Sequence, residues 1–170
     1  MTVFLLRVLS LLCLVVASAA TSETTDGNAL CDYWGTLSST NQAKLTNWCG
    51  AKSGDSYVNG PCTGTWLGVT CTTNRVTYLT VNGFTGLGGS LPTSIGGLNA
   101  LIFINLASAG ITGSIPSSMG ALTGLTILAL SDNSLSGSIP SSMGALTGLT
   151  SLVLASNALT GPMPASFCSL

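Results

Sequence analysis

From Leu101 onward the apolar positions keep a fixed spacing. Leu125, Leu128 and Leu130 stand as L-x-x-L-x-L, and Leu149, Leu152 and Leu154 repeat the arrangement. The pattern is anchored by one string, GSIPSSMGALTGLT, at Gly113–Thr126, which recurs unchanged at Gly137–Thr150, a period of 24 (137 − 113). Gly89 and Gly161 lie one period further out, giving units 89–112, 113–136 and 137–160 and a partial unit 161–170. Leu128 and Leu130 alternate with Ile127 and Ala129, the period of a strand that turns its leucines inward. Asn133 and Asn157 follow two of these strands, and their amides are expected to meet backbone groups that no strand ladder satisfies. Leu135 and Ile139 should close the core from the far side. Gly137 permits a bend before Pro140, and Pro140 fixes an extended return segment. One such unit cannot bury its own apolar face, whereas stacked units bury a continuous core.

A period in the twenties with L-x-x-L-x-L-x-x-N spacing is the signature of a leucine-rich repeat solenoid. The expected fold is a short, curved α/β-type horseshoe fragment with a parallel sheet on its concave face and 3-10 helix or coil on its convex face. The array covers 75–170, and its first unit, 75–88, places Val76, Leu79 and Val81 opposite Leu101, Ile104 and Leu106. Phe84 and Ala109 replace the asparagine in the first two units, so the asparagine ladder is half present. The string N-x-L-x-G-x-I-P-x-x-x-G-x-L (Asn133 to Leu146) resembles the plant-type repeat of receptor-kinase ectodomains, polygalacturonase inhibitors and kinetoplastid or other protist surface antigens.

Ahead of the array the chain changes character. Residues 1–20 carry one charge, Arg7, then an apolar run and the small residues Ala17-Ser18-Ala19-Ala20, which reads as a secretory signal peptide. Beyond it no apolar run is long enough to cross a bilayer. Residues 21–28 read as a disordered start of the mature chain. Residues 29–74 hold Cys31, Cys49, Cys62 and Cys71. Behind a signal peptide these suggest disulfides rather than zinc, although four cysteines allow three arrangements. PCTGTWLGVTC at 61–71 resembles the P-C-x-W-x-G-V-x-C element of the plant-type N-terminal cap. That resemblance implies a Cys62–Cys71 bridge, leaving Cys31 for Cys49. It also implies a helix between about Ala29 and Leu45, with Tyr33, Trp34, Leu37 and Leu45 inward. Trp48 and Trp66 read as cap core. The cap lacks the adjacent cysteine pair common in plants, which favours the protist antigens within the family.

Charge is sparse: four basic and five acidic residues and no histidine in 170. Of these the mature part keeps Lys44, Lys52 and Arg75 against Glu23, Asp26, Asp32, Asp55 and Asp132. Such a surface offers nucleic acid no basic patch and anionic lipid no polybasic stretch. Without histidine there is no imidazole base for a nucleophile, and Asp132 is the only carboxylate within the repeats, so a glycosidase pair is absent. No phosphate-binding loop motif occurs. The chain is therefore read as non-enzymatic, without cofactor or metal.

What remains is binding, at a secreted or cell-surface location, with a protein or a glycan as partner. The solvent-facing concave positions are Tyr78, Thr80 and Asn82; Phe103, Asn105 and Ala107; Ile127, Ala129 and Ser131; Ser151, Val153 and Ala155. Tyr78, Phe103, Ile127 and Val153 are expected to form an apolar stripe, the kind of patch that marks an interaction surface. Four strands about 4.7 Å apart, each about five residues long, give a face on the order of 220 Å², against about 800 Å² per partner in a stable protein interface. Alternative functions are a secreted inhibitor of a wall-degrading enzyme, of the polygalacturonase-inhibitor kind, and an ice-binding or structural solenoid. The sequence stops three residues before the next strand would begin, and Cys168 takes the place of Gly96, Gly120 and Gly144. Read on its own, this suggests an incomplete product that self-associates at its C-terminal edge.

Overall fold

The computed structural model describes residues 26–33, 35–37, 52–53, 56–57, 61–62, 66–81 and 86–169. The signal-peptide reading and the expectations for Trp34, Leu45, Trp48, Cys49, Asn82 and Phe84 lie outside them. Among the described residues ten strands follow in chain order. β1 (Lys52–Ser53) and β2 (Ser56–Tyr57) pair antiparallel. β3 (Val69–Thr72) and β4 (Arg75–Thr80) form a hairpin. Its two-residue turn, Thr73-Asn74, has φ of 47° and 62°, the double left-handed geometry that matches the twist of the strands it joins.

Beyond the hairpin each unit contributes the same four pieces. The inward strands are β5 (Phe103–Asn105), β7 (Ile127–Ala129) and β9 (Ser151–Val153). With the hairpin they make a five-stranded sheet in the order β3-β4-β5-β7-β9, parallel from β4 onward. Opposite lie 3-10 turns at Thr93–Gly97, Ser117–Ala121, Ser141–Ala145 and Ala165–Ser169. The prolines entering the first three, Pro92, Pro116 and Pro140, are extended, with φ from −75° to −63°. Leu101, Ile104, Leu106, Leu125, Leu128 and Leu130 are fully buried between the two sides, with Leu135, Met119 and Met143 closing the core. The solenoid, its inward leucines and its 3-10 convex side are as the periodicity requires.

Glycine matters at two positions in each unit. Gly137 has φ of 77°, and Gly113 and Gly161 match it, so the bend before each proline uses the left-handed region. Gly120 serves close packing: a Cβ there would run into the carbonyl of Ser142 in the next coil. Gly96 stands in the same relation to Ser118.

The repeat asparagines, Asn133 buried and Asn157 half-buried, act as expected. Asn133 Oδ1 accepts from the Ile111 N–H at 2.9 Å, and its Nδ2 donates to the carbonyls of Leu106 and Leu130 (both 2.9 Å) and Ser131 (3.1 Å). Asn157 repeats the set with the Leu135 N–H and the Leu130, Leu154 and Ala155 carbonyls. Each amide thus ties its own unit to the one before it.

Two expectations need correction. The return segments are not simply coil: β6 (Thr112–Ser114), β8 (Ser134–Gly137) and β10 (Ala158–Leu159) form a second parallel sheet in the order β10-β8-β6. These residues have no strand periodicity of their own. Stacking supplies each with a parallel partner at a 22-residue offset, Thr112 opposite Ser134 and Ser136 opposite Ala158. The cap helix, in turn, already runs over 26–33, so residues 26–28 are ordered and the helix starts before Ala29.

The cause of that early start is Asp26. Its carboxylate is wholly buried and accepts from Arg75 Nε and Nη2 (both 3.0 Å) and from the Val76 N–H at 2.8 Å. Arg75 Nη2 also donates to Asn99 Oδ1 at 2.7 Å, so one cation joins cap, first strand and second unit. Removing one member of such a buried pair costs far more than the pair contributes net, because it strands the other. Ala29, Leu30, Tyr33 and Leu37 bury the helix face against the first coil, and Trp66 is buried in the cap core. Tyr33 donates its hydroxyl to the Gly88 carbonyl at 3.3 Å, and burial pushes its ionisation well above the ordinary tyrosine range. Cys62 and Cys71 are bonded, with Cα atoms 5.5 Å apart. Cys31 is also in a disulfide, and the expected partner, Cys49, lies outside the described residues.

Candidate binding face

The concave sheet presents two rows of side chains across its strands. Pairing places Tyr78 beside Phe103, Phe103 beside Ile127, and Ile127 beside Ser151. The second row runs Thr80, Asn105, Ala129, Val153. This corrects the expected stripe: Val153 belongs to the second row, and the apolar row of Tyr78, Phe103 and Ile127 ends on the hydroxyl of Ser151. The period of 24 sets that register, since Ile127 advances to Ser151 and not to Val153.

Tyr78 is 41% exposed and Val153 40%, while Phe103 and Ile127 are half-buried beside their neighbours. The rings of Tyr78 and Phe103 lie 5.8 Å apart between centroids and tilted by 31°, within the range of favourable aromatic pairs. Asn105 Oδ1 accepts from the Ala107 N–H at 3.1 Å, which turns its Nδ2 away from that bond. No described residue pairs with the hydroxyls of Tyr78, Thr80 or Ser151. The face carries no charge among its described residues. Arg75, at the start of β4, is held by Asp26 and Asn99.

The second sheet offers a different surface. Thr112, Ser114, Ser134 and Ser136 are exposed there, with Thr112 opposite Ser134 and Ser114 opposite Ser136. Parallel pairing sets such hydroxyls about 4.8 Å apart along each row. Among the described residues no group of three or more Cys, Asp or Glu side chains gathers as a metal would require, and no helix is long and apolar enough to cross a membrane.

The internal duplication separates the surfaces further. Units 113–136 and 137–160 differ at six positions: Ile127/Ser151, Ala129/Val153, Ser131/Ala155, Asp132/Ser156, Ser134/Ala158 and Ser136/Thr160. No inward position has changed. Exposure alone does not account for the pattern, because Ser114, Ser117, Ala121 and Thr123 are also exposed and are identical in both copies. All three concave positions have changed, and so have two on the second sheet. The signal was present in the sequence but had no meaning until the positions were assigned to surfaces.

The Leucine Rich Repeat family pattern matches residues 124–146 and 148–170. No curated protein matches the sequence. Among solved structures, the PEPR1–AtPEP1 complex matches at 32% identity and a TM-score of 0.73, over 85% of this chain and 19% of that one. A plant ice-binding protein matches at 30% identity and a TM-score of 0.65, over 86% and 44%. The LRR ectodomain of the receptor kinase HAESA from Arabidopsis, in complex with an N-terminally extended IDA peptide hormone ligand, matches at 30% identity and a TM-score of 0.55, over 88% and 28%. The chain therefore spans about a fifth of the length of the first of these structures.

Proposed function

Because the chain belongs to the plant-type leucine-rich repeat family seen in receptor-kinase ectodomains, we propose that it is a non-enzymatic extracellular binding module. Its ligand, a protein or a glycan, sits on the concave rows Tyr78–Phe103–Ile127–Ser151 and Thr80–Asn105–Ala129–Val153. One observation carries this reading: between the two duplicated units every concave position has changed, while exposed positions of the 3-10 side have not. Stacked repeats present their concave strand positions as one extended surface on a common scaffold, the surface such proteins use for binding. The peptide-bound ectodomain among its structural relatives supports the same assignment. The test is selection of ligands from peptide and glycan libraries by the wild-type protein, followed by rebinding to two variants. Replacing Phe103 and Ile127 together by Ser should abolish binding, and Ser136→Lys on the second sheet should leave it unchanged. Ligands that ignore the first variant and are lost on the second would overturn the assignment.

A second reading rests on the second sheet. Its in-register hydroxyls, Thr112 with Ser134 and Ser114 with Ser136, form an exposed, uncharged array, and an ice-binding protein is among the structural relatives. Under that reading the wild-type protein slows ice recrystallisation and Ser134→Lys removes the effect. Recrystallisation unaffected by the wild-type protein at millimolar concentration would dismiss it.

A further inference from the structure

We infer that the concave face is built for an uncharged oligosaccharide, with one sugar ring stacked on Tyr78 and Phe103; this rests on the concave-face reading above. The inference follows from what the two rows hold side by side. Tyr78, Phe103 and Ile127 are contiguous in one row and expose apolar surface, with the two rings 5.8 Å apart. One register step away, on the same face, stand the Thr80 hydroxyl and the Asn105 amide, and the apolar row itself ends on the Ser151 hydroxyl.

Each ligand class makes a different demand on such a face. A carboxylated or phosphorylated ligand calls for a cation, and the one cation at these strands among the described residues, Arg75, is committed to Asp26 and Asn99. A purely apolar ligand would cover Thr80, Asn105 and Ser151 and leave their polar groups unpaired, at a cost. A folded protein partner needs about 800 Å² from each side, several times the roughly 220 Å² the strands offer. A neutral sugar ring has one apolar C–H face and a rim of hydroxyls that both donate and accept. The apolar row matches the first. Asn105 Nδ2, its Oδ1 already engaged by the Ala107 N–H, donates to the rim, and the hydroxyls of Tyr78, Thr80 and Ser151 meet the rest. Stacking on a π-face is tolerant of the ring it meets, whereas hydroxyl contacts discriminate.

The experiment is calorimetric titration of the whole secreted protein with hexaoses of β-1,4-glucose, β-1,3-glucose, β-1,4-xylose and β-1,4-mannose. Oligogalacturonate serves as a charged control. At least one neutral hexaose should bind, oligogalacturonate should bind at least tenfold more weakly, and Tyr78→Ala or Phe103→Ala should each weaken binding at least tenfold. Both side chains are at the surface, so circular dichroism of the variants should stay unchanged. Neutral hexaoses that fail to bind at millimolar concentration, or that bind Tyr78→Ala and Phe103→Ala undiminished, would overturn the inference. A library-selected peptide that binds wild type and is lost on the double variant Phe103→Ser, Ile127→Ser would then keep the concave site and reject only its sugar. Loss of neither ligand on that variant would reject both.

Discussion

Removing Asn133 and Asn157 separately and together would measure how the coils are fastened. The two side chains make parallel sets of hydrogen bonds, but they are not equivalent. The Leu130 carbonyl accepts from both, from Asn133 in its own unit and from Asn157 in the next, each at 2.9 Å. The corresponding Leu106 carbonyl accepts from Asn133 alone among the described residues, because Ala109 stands where its own unit would supply an amide. Asn133→Ala therefore strands Leu106 O and the Ile111 N–H in the interior. At about 1–3 kcal/mol for each buried group left unsatisfied, the loss should be about 3–5 kcal/mol. Asn157→Ala leaves Leu130 O with its other donor and strands one buried group, the Leu135 N–H, so it should cost about 1–3 kcal/mol. The double variant strips Leu130 O of both donors, and its loss should exceed the sum of the singles by about 1 kcal/mol or more. Urea unfolding followed by circular dichroism measures all three. Equal losses in the single variants, or strict additivity in the double, would refute the shared-carbonyl argument.

The remaining predictions test other layers of the same solenoid. Leu130→Ala should cost about 2–5 kcal/mol, because Leu130 is fully buried. Ala129→Ser, one residue away on the open face, should stay within about 0.5 kcal/mol in the same urea assay. Ser118 and Ser142 occupy the same place in identical strings, yet Ser142 donates to the Ser117 carbonyl at 2.6 Å while the Ser118 hydroxyl is buried without a partner. Ser142→Ala should therefore lose about 1 kcal/mol and Ser118→Ala should gain about as much, measured as shifts in urea midpoint. Tyr33 ionises at higher pH folded than unfolded, above the ordinary tyrosine value of about 10, because burial disfavours the phenolate. Its contribution is complete below that unfolded value and declines as pH rises above it, by up to about 1.4 kcal/mol per pH unit. Tyr33→Phe should remove that share of the alkaline slope between pH 9 and 11, and an unchanged slope would count against the burial.

How much of this was legible beforehand depends on where the causes sit. Leu125, Leu128 and Leu130 announce their burial because the repeat period places them identically in every unit, and Asn133 announces its turn for the same reason. The Cys62–Cys71 bridge was implied by the resemblance of 61–71 to a known cap. Asp26 could not be read this way. TSETTDG looks like a solvated tail, and only the fold brings Arg75 and the Val76 N–H, about fifty residues on, to its carboxylate. The second sheet was hidden because T-G-S and S-L-S-G have no alternation, and their strand character comes from the neighbouring coil. The fourth member of the concave row was misplaced at Val153, although the period of 24 already put Ser151 there. In the candidate face, residue types were readable and adjacency was not: the Tyr78–Phe103 ring pair depends on one extra residue in the first unit, which makes that step 25 rather than 24.

The scarcity of charge then has a structural meaning. Some hydroxyls that look like generic surface polarity are spent on the coil before them. Thr126 donates to the Ile102 carbonyl and Thr150 to that of Thr126, at 2.9 and 3.0 Å, and Ser142 and Ser166 repeat the device on the 3-10 side. Each step spans 24 or 25 residues and adds a side-chain donor to a backbone carbonyl of the coil before. Thr126 and Thr150 hold the same repeat position and donate in the same way, so that step is kept in both copies. On the concave face the hydroxyls of Tyr78, Thr80 and Ser151 have no hydrogen-bond partner among the described residues, and Asn105 engages only its Oδ1. Two of the three concave positions that changed on duplication, Ile127/Ser151 and Ala129/Val153, lie among or beside these groups. Variation and unspent polarity thus meet on the concave side, which is the physical ground for placing the ligand there.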